Sequence, residues 1–359
     1  MKIVLLAPAN SIHTVRWANG LTSLGHTVHV VSQHPKIKEL YFDSVTVHIT
    51  KNNGFLGYYF MVPFVRNIIK EIEPDILNAH YASGYGTTAR LVGFTPSLLS
   101  VWGSDIYSFP RKSLLHRYIL KHNLRFPTAV ASTSNCMVKE MYLTHTPEKV
   151  FITPFGVDVE KFSPSPEKAS KRDKFVIGTV KSLESTYRID LLIKAFSVFA
   201  NTVNNVFLEI FGDGSLREEL QSLAISLGVQ DLVIFRGHID HSDVPDALRS
   251  LDVYVALSDH ESFGVAILEA SSCGIPVIVS DAEGPAEVVQ CGTTGFVVPR
   301  GDYISAADKI EHLYYDSDLR NSMGMCGRKM VMDKYSWRKS LEIMDGAYRN
   351  TIEIFRGLE

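Results

Sequence analysis

Two glutamates eight residues apart, Glu261 and Glu269, carry the clearest chemical signal in this sequence. Both lie in the stretch from Asp252 to Pro276, DVYVALSDHESFGVAILEASSCGIP. Glu261 stands in a polar loop with Asp259, His260 and Ser262. Glu269 stands inside Val265 to Ala270, an otherwise apolar run suited to a helix. A carboxylate buried in such a helix costs several kcal/mol unless it is paired or accepts good hydrogen bonds. Glu269 therefore reads either as half of a salt bridge to a neighbouring element or as a ligand-binding group. The flanking pattern is that of a strand, a loop and a helix. Val253, Val255 and Leu257 alternate with Tyr254, Ala256 and Ser258; Gly264 opens the helix, and Gly274 and Pro276 close it. The first amides of a helix lack internal partners and the macrodipole favours an anion there, so this junction is a candidate phosphate site. Gly264 permits close backbone approach.

The run Glu-Ser-Phe-Gly-Val-Ala-Ile-Leu-Glu-Ala followed by Gly-Ile-Pro-Val-Ile resembles the signature of the retaining family 4 glycosyltransferases. Spacing, the Phe-Gly pair and the Gly-x-Pro-Val exit all agree. The resemblance implies an α/β protein of GT-B fold, two Rossmann-like domains with parallel sheets facing across a cleft. It also implies that Glu261 lies beside the transferred sugar and that Glu269 holds the donor ribose. Ser262, Phe263, Gly264, Val265 and Ala266 become donor-binding candidates with them.

Composition agrees with two soluble domains. The chain has 359 residues with a formal net charge of −3, which gives no global attraction to nucleic acid. Cys136, Cys273, Cys291 and Cys326 are far apart and form no metal-type pair, which reads as reduced thiols and a cytoplasmic location. The opening MKIVLLAPANS is too short for a signal peptide or membrane span and fits a first strand.

The elements of the first half alternate. Lys2 to Ala7 reads as a strand, Pro8 to His13 as a loop, Val15 to Leu24 as a helix and His26 to Ser32 as a second strand. The first loop lacks the Gly-x-Gly-x-x-Gly dinucleotide fingerprint, which counts against a dehydrogenase. By the resemblance this loop lies near donor and acceptor, so Ser11 and His13 are acceptor-side candidates; a plain strand–helix connection is the competing reading. A strand ending at His80 makes that residue a further candidate, because ligands collect at carboxyl strand edges. The strand Leu98 to Trp102 leads to Gly103 and Asp105. The family usually carries His-Gly-x-Asp here. Gly103 and Asp105 fit, Asp105 as a catalytic candidate, while Trp102 replaces the histidine and an indole there would stack on a sugar face. Residues 110–125 hold Arg111, Lys112, Arg117, Lys121 and Arg125 without an acid. They read either as a basic helix lying on an anionic membrane surface or as an amphipathic helix with a solvated charged face. The aromatic run Phe55 to Phe64 reads either as added apolar contact beside that helix or as core, and core is the expectation. Pro154 to Asp158 resembles the family's Pro-x-Gly-Val-Asp junction, and Ser163 to Arg172 reads as a linker.

In the second half the family places an arginine just after the first strand and a lysine a few residues on, both on the donor diphosphate. Lys181 occupies the first place. Thr186 falls at the second, with Arg188 near enough to substitute. Gly237 and His238 follow a later strand beside the expected nucleotide base, and Thr294 to Val297 resembles a small hairpin. The tail from Ser336 has helical periodicity and is expected to return to the first domain. The expected division is thus 1–160 (acceptor side), 161–335 (nucleotide-sugar side) and 336–359 (returning helix). The implied function is transfer of a hexose-type sugar, with retention, from a UDP- or GDP-linked donor to a hydroxyl of a lipid-linked saccharide in surface glycan synthesis. No cofactor or metal is expected, and no nucleic-acid partner. The expected location is cytoplasmic, with a peripheral position on the inner membrane face if residues 110–125 bind there. The alternatives are a sugar-nucleotide epimerase of the same fold and a non-catalytic nucleotide-sugar-binding partner subunit.

Overall fold

The computed structural model describes residues 1–165 and 174–357, so the expected linker lies outside the described residues from 166 onward. The chain divides into two units, Met1–Pro154 together with the segment from Ser340, and Phe155–Lys339. These divisions fall a few residues from the expected 160 and 336.

The first unit runs β1 (Lys2–Leu6), α1 (Ile12–Ser23), β2 (Thr27–Ser32), β3 (Thr46–Ile49), α2 (Gly54–Phe60), α3 (Val62–Ile72) and β4 (Ile76–His80). It continues with α4 (Gly84–Val92), β5 (Ser97–Val101), α5 (Ser104–Tyr107), α6 (Leu114–Arg125), β6 (Ala129–Ser132), α7 (Asn135–Tyr142) and β7 (Val150–Ile152). Its seven strands form one parallel sheet in the order β3-β2-β1-β4-β5-β6-β7. Helices must cover both faces of such a sheet, which is why strands such as β4 and β5 are buried along their whole length. Val4, Leu77, Leu99 and Val130 pack with Val65, Tyr85, Leu120 and Met137 from the helices. Strand order reverses between β1 and β4, paired in the register Ile3↔Ile76, and this switch point is where α/β sheets collect ligands.

The second unit runs β8 (Phe175–Val180), α8 (Ile189–Ala200), β9 (Val206–Phe211), α9 (Arg217–Ser226), β10 (Val233–Gly237), α10 (Val244–Arg249) and β11 (Val253–Ala256). Then come α11 (Val265–Ser272), β12 (Val277–Ser280), α12 (Glu283–Glu287), β13 (Gly295–Val298), α13 (Tyr303–Tyr315) and α14 (Ser317–Met330). Its six strands are parallel in the order β10-β9-β8-β11-β12-β13, with the switch point between β8 and β11. Ile177, Leu192, Phe196, Leu208, Val255 and Ile310 form its core.

The last helix, α15 (Trp337–Arg356), belongs to the first unit from Ser340 onward. Its buried Tyr348 hydroxyl accepts from Asn78 Nδ2 at 2.8 Å, and Asn78 Oδ1 accepts from Ser100 Oγ at 3.0 Å, which fixes the helix to β4 and β5. His26 Nε2 lies 2.9 Å from Asp345 in the same interface.

Several expectations are corrected. Ile12 and His13 lie in the first turn of α1, not in a loop. The 294–297 segment is no hairpin, since β13 pairs parallel with β12. Phe55 to Phe64 is only partly core: Met61 and Val62 are buried, whereas Phe55, Leu56 and Phe60 are 61%, 59% and 62% exposed. The reason is that α2 packs through its other side. Gly57 is too close to Gln33 to carry a side chain, and Tyr58 lies over Gly84.

Candidate functional site

In the second unit both loops singled out by the sequence emerge at the switch point. Lys181 follows β8, where its N–H donates to Phe211 O at 2.9 Å. A side chain at Gly212 would collide with the Lys181 carbonyl, so the glycine (φ +141°) lets the two strand ends close up. Residues 257–264 follow β11, and a side chain at Gly284 would strike the Glu261 carbonyl in the same manner. These approaches bring Lys181 Nζ to 2.5 Å from Glu261 Oε1, with the two side chains only 9% and 14% exposed. The Tyr187 ring lies beneath the ammonium, 5.1 Å from its centroid, and Ser258 Oγ donates to Glu261 Oε2 at 3.4 Å. Burial alone would lower the lysine's affinity for its proton. The Glu261 carboxylate outweighs it, and the ammonium is held above the ordinary lysine range.

The adjoining residues staple the two loops. Thr186 O accepts from Asp259 N at 2.9 Å, and its hydroxyl donates to His260 O at 3.2 Å. Arg188, in a left-handed conformation with φ 48°, donates to Asp190 at 3.0 and 3.1 Å and to Asp259 at 3.3 and 3.1 Å. Its side chain is thus committed to two carboxylates, while Lys181 is the cation that meets Glu261.

α11 begins at Gly264, which has φ +114° and caps the helix without any side-chain hydrogen bond. Val265 and Ala266 form its first turn; neither they nor Ile267 and Leu268 place an acid there. Ser262 is half-buried and Phe263 is buried, its ring edge-on to Tyr335 at 5.9 Å. Glu269 is buried on the same helix, and His241 Nε2 lies 3.6 Å from its carboxylate. Lys161 Nζ holds that imidazole from the other side, 3.1 Å from Nδ1 and 2.9 Å from the His241 carbonyl. Gly237 closes β10 with φ +76°, and His238 beyond it is exposed. Sequence reasoning missed Lys161, His241 and Asp259. Lys161 and His241 stand 80 positions apart, so no local spacing announces their contact.

In the first unit the acceptor-side candidates also converge. Ser11 is the N-cap residue of α1 and His13 lies in the first turn. His80 ends β4, and Trp102 and Gly103 follow β5. The Trp102 ring lies 4.3 Å from His80, 5.0 Å from Tyr81 and 5.8 Å from His13. His80 is 1% exposed, and neither ring nitrogen has a hydrogen-bond partner among the described residues. Burial, then His13, pushes its imidazole down to about 3, so it stays neutral at physiological pH. Asp105, expected among the catalytic residues, lies within the scaffold of this cluster. Its carboxylate accepts the N–H groups of Ala82, Trp102 and Gly103 at 2.7, 3.2 and 2.9 Å, tying the end of β4 to that of β5. Asp105→Ala would strand three buried amides and is expected to lower unfolding free energy by about 2–4 kcal/mol in a denaturant titration. Unchanged stability would show that the carboxylate does not hold the loops.

Among the described residues no three His, Cys, Asp or Glu side chains group as a metal site, and no helix is long and apolar enough to cross a membrane.

Comparison with known proteins bears on both units. Residues 161–330 match the family described as glycosyl transferases group 1, and residues 2–134 match that described as glycosyl transferase 4-like. The GDP-mannose-dependent alpha-(1-6)-phosphatidylinositol monomannoside mannosyltransferase of Mycolicibacterium smegmatis is 32% identical over 199 residues, 52% of this chain and 52% of that protein. The chain thus matches about half the length of that relative. The N-acetyl-alpha-D-glucosaminyl L-malate synthase of Bacillus anthracis is 23% identical over 351 residues, 92% of this chain and 91% of its own. Among solved structures, Anabaena HepE in complex with UDP superposes with a TM-score of 0.84 at 19% identity, over 98% of this chain and 100% of that one.

Proposed function

The chain belongs to the group 1, family 4 glycosyltransferases of GT-B fold, and from that membership we propose that it is a retaining hexosyltransferase. It moves the sugar of a nucleotide-diphosphate donor to a hydroxyl of a saccharide carried on a lipid, in surface glycan synthesis. The observation that carries this reading is the Lys181–Glu261 pair at the β8/β11 switch point, beside the open N-terminus of α11. When the glycosidic bond to the diphosphate breaks, negative charge grows on the leaving group and positive charge on the anomeric carbon. Lys181 and the amides of Val265 and Ala266 stabilise the first. Glu261 orients the sugar and supports the second. The acceptor oxygen attacks from the face the diphosphate leaves, and no covalent intermediate with Glu261 is invoked. Lys181 takes the part a metal would play, and no cofactor enters. Glu269 holds the donor ribose, while His13, His80 and Trp102 serve the acceptor.

The lipid-carried acceptor draws support from the M. smegmatis relative, which is named for a phosphatidylinositol monomannoside. Contact of residues 110–125 with an anionic membrane at the cytoplasmic face belongs to the same reading. The donor base is left open between uracil and guanine, because the relatives' names include both UDP and GDP. One specific observation favours a second reading, a nucleotide-sugar-binding subunit without turnover: Arg188 is already neutralised by Asp190 and Asp259.

Calorimetry tests the donor site first. One of UDP and GDP is expected to bind, and Glu269→Ala to weaken it by roughly tenfold or more through loss of charge-assisted hydrogen bonds to the ribose. Failure of both nucleotides to bind would overturn the proposal.

A further inference from the structure

Glu269 is a buried carboxylate that the fold leaves short of donors. Its side chain is 10% exposed, and among the described residues its one ion-pair partner is His241, whose Nε2 lies 3.6 Å from Oε1, beyond hydrogen-bond length. A buried carboxylate without charge-assisted hydrogen bonds is costly, so this one is set for a donor that arrives from outside the fold.

His241 presents its nearer nitrogen in a defined state. Lys161 Nζ lies 3.1 Å from His241 Nδ1 and 2.9 Å from the His241 carbonyl. A lysine ammonium carries three donors and no acceptor, so Nδ1 must accept, and the proton of the neutral ring then stands on Nε2. That N–H faces Glu269. A donor and an acceptor thus stand 3.6 Å apart, and the His241 side chain is 57% exposed, within reach of a ligand. One hydroxyl oxygen can lie about 2.8–3.0 Å from both atoms, accepting from Nε2–H while it donates to Oε1. A carbonyl or phosphate oxygen only accepts and an ammonium only donates, so the pair selects a hydroxyl.

The frame around the pair is rigid. Lys161 N donates to Asp158 Oδ1 at 3.1 Å, and Lys161 O accepts from Arg249 Nη2 at 2.8 Å. The next residue, Phe162, is buried; its carbonyl accepts from Ser272 Oγ at 2.6 Å, and its ring meets that of His241 at 5.8 Å and 69°. Ser272 ends α11, the helix that carries Glu269. Lys161, His241 and Glu269 are therefore placed by one connected set of contacts, although His241 itself lies at the surface.

We propose that His241, oriented by Lys161, acts with Glu269 to select the ribose of the donor: one ribose hydroxyl bridges His241 Nε2 and Glu269 Oε1, so that ribonucleotides are taken in preference to their deoxy forms. This rests on the reading of the second unit as a nucleotide-sugar site, and it adds two residues to that site. His241 is a specificity-determining residue that touches the ligand. Lys161 is a positioning residue that acts through the imidazole.

Calorimetry on the full chain tests it, with UDP and GDP and with the 2′-deoxy and 3′-deoxy forms of whichever binds. One deoxy form is expected to bind the wild type roughly tenfold more weakly than the ribonucleotide. His241→Leu should cut that discrimination roughly fivefold, by weakening the ribonucleotide and sparing the deoxy form. His241→Gln keeps an N–H near the place of Nε2 and should hold most of it. Lys161→Met frees the ring proton to move to Nδ1 and should cut it roughly threefold. If neither UDP nor GDP binds the wild type, the nucleotide-sugar reading falls and this pair with it. If one binds, the reading stands and the pair is overturned by any of four results: a wild type indifferent to loss of either hydroxyl, a leucine variant that discriminates as the wild type does or weakens both forms equally, a glutamine variant as poor as the leucine one, or a Lys161→Met variant with wild-type discrimination.

Discussion

Glu261→Ala is expected to remove sugar transfer while leaving nucleotide affinity equal to or tighter than that of the wild type. Both parts follow from the pair with Lys181. The carboxylate is proposed to act on the sugar, where positive charge develops at the anomeric carbon; loss of one such oriented group costs about 10²–10³-fold in rate. Without Glu261, the Lys181 ammonium loses the partner that sits 2.5 Å away and has only the incoming diphosphate to pair with. Affinity kept or raised while transfer is lost separates this role from simple damage to the site, which would weaken binding and turnover together. Binding lost in proportion to activity would remove the role assigned to Glu261.

Lys181→Ala carries the second large effect, and it has two components. The donor loses a charge-assisted contact to its diphosphate, expected to raise its dissociation constant by roughly tenfold to a hundredfold. The free protein also loses stability, because Glu261 stays nearly buried without its counter-charge; truncating one partner of a buried pair costs about 3 kcal/mol or more. A double substitution, Lys181→Met with Glu261→Gln, isolates the two. It should recover most of the stability, since no charge remains unpaired, and none of the donor affinity. Recovery of donor affinity in the double variant would show that Lys181 serves the fold and not the diphosphate.

Much of this site was legible in the sequence because its signals are local. The apolar runs that become β8 and β11 end at Lys181 and Ser258, and a parallel strand buried on both faces has little choice but to look that way. Glu261, Gly264 and Glu269 lie within one strand–loop–helix unit, so their spacing along the chain is nearly their spacing in space. What could not be read depends on distant partners. Arg188 looked available for a diphosphate because its ties include Asp259, 71 positions away. Glu269 posed a choice between a salt bridge and a ligand; the structure sets His241 against its carboxylate, itself held by Lys161, and neither partner lies near Glu269 in sequence. Asp105 matched a catalytic position by motif, while its three amide bonds come from the ends of two strands. The α2 aromatics were misplaced for another reason. Hydrophobic content says that a face prefers to leave water, and not whether this chain or something else covers it.

The β8/β11 switch point of the second unit is proposed to turn over a nucleotide-sugar. Its most direct test is release of nucleotide from a panel of UDP- and GDP-sugars, with a range of saccharide acceptors added, for wild type and for Glu261→Ala. A donor of one base is expected to be consumed, release is expected to persist when divalent metal is chelated, and the variant, though it still binds that nucleotide, is expected to release it about 10²–10³-fold more slowly. Nucleotide binding without turnover of any donor, or turnover that Glu261→Ala leaves unchanged, would contradict it.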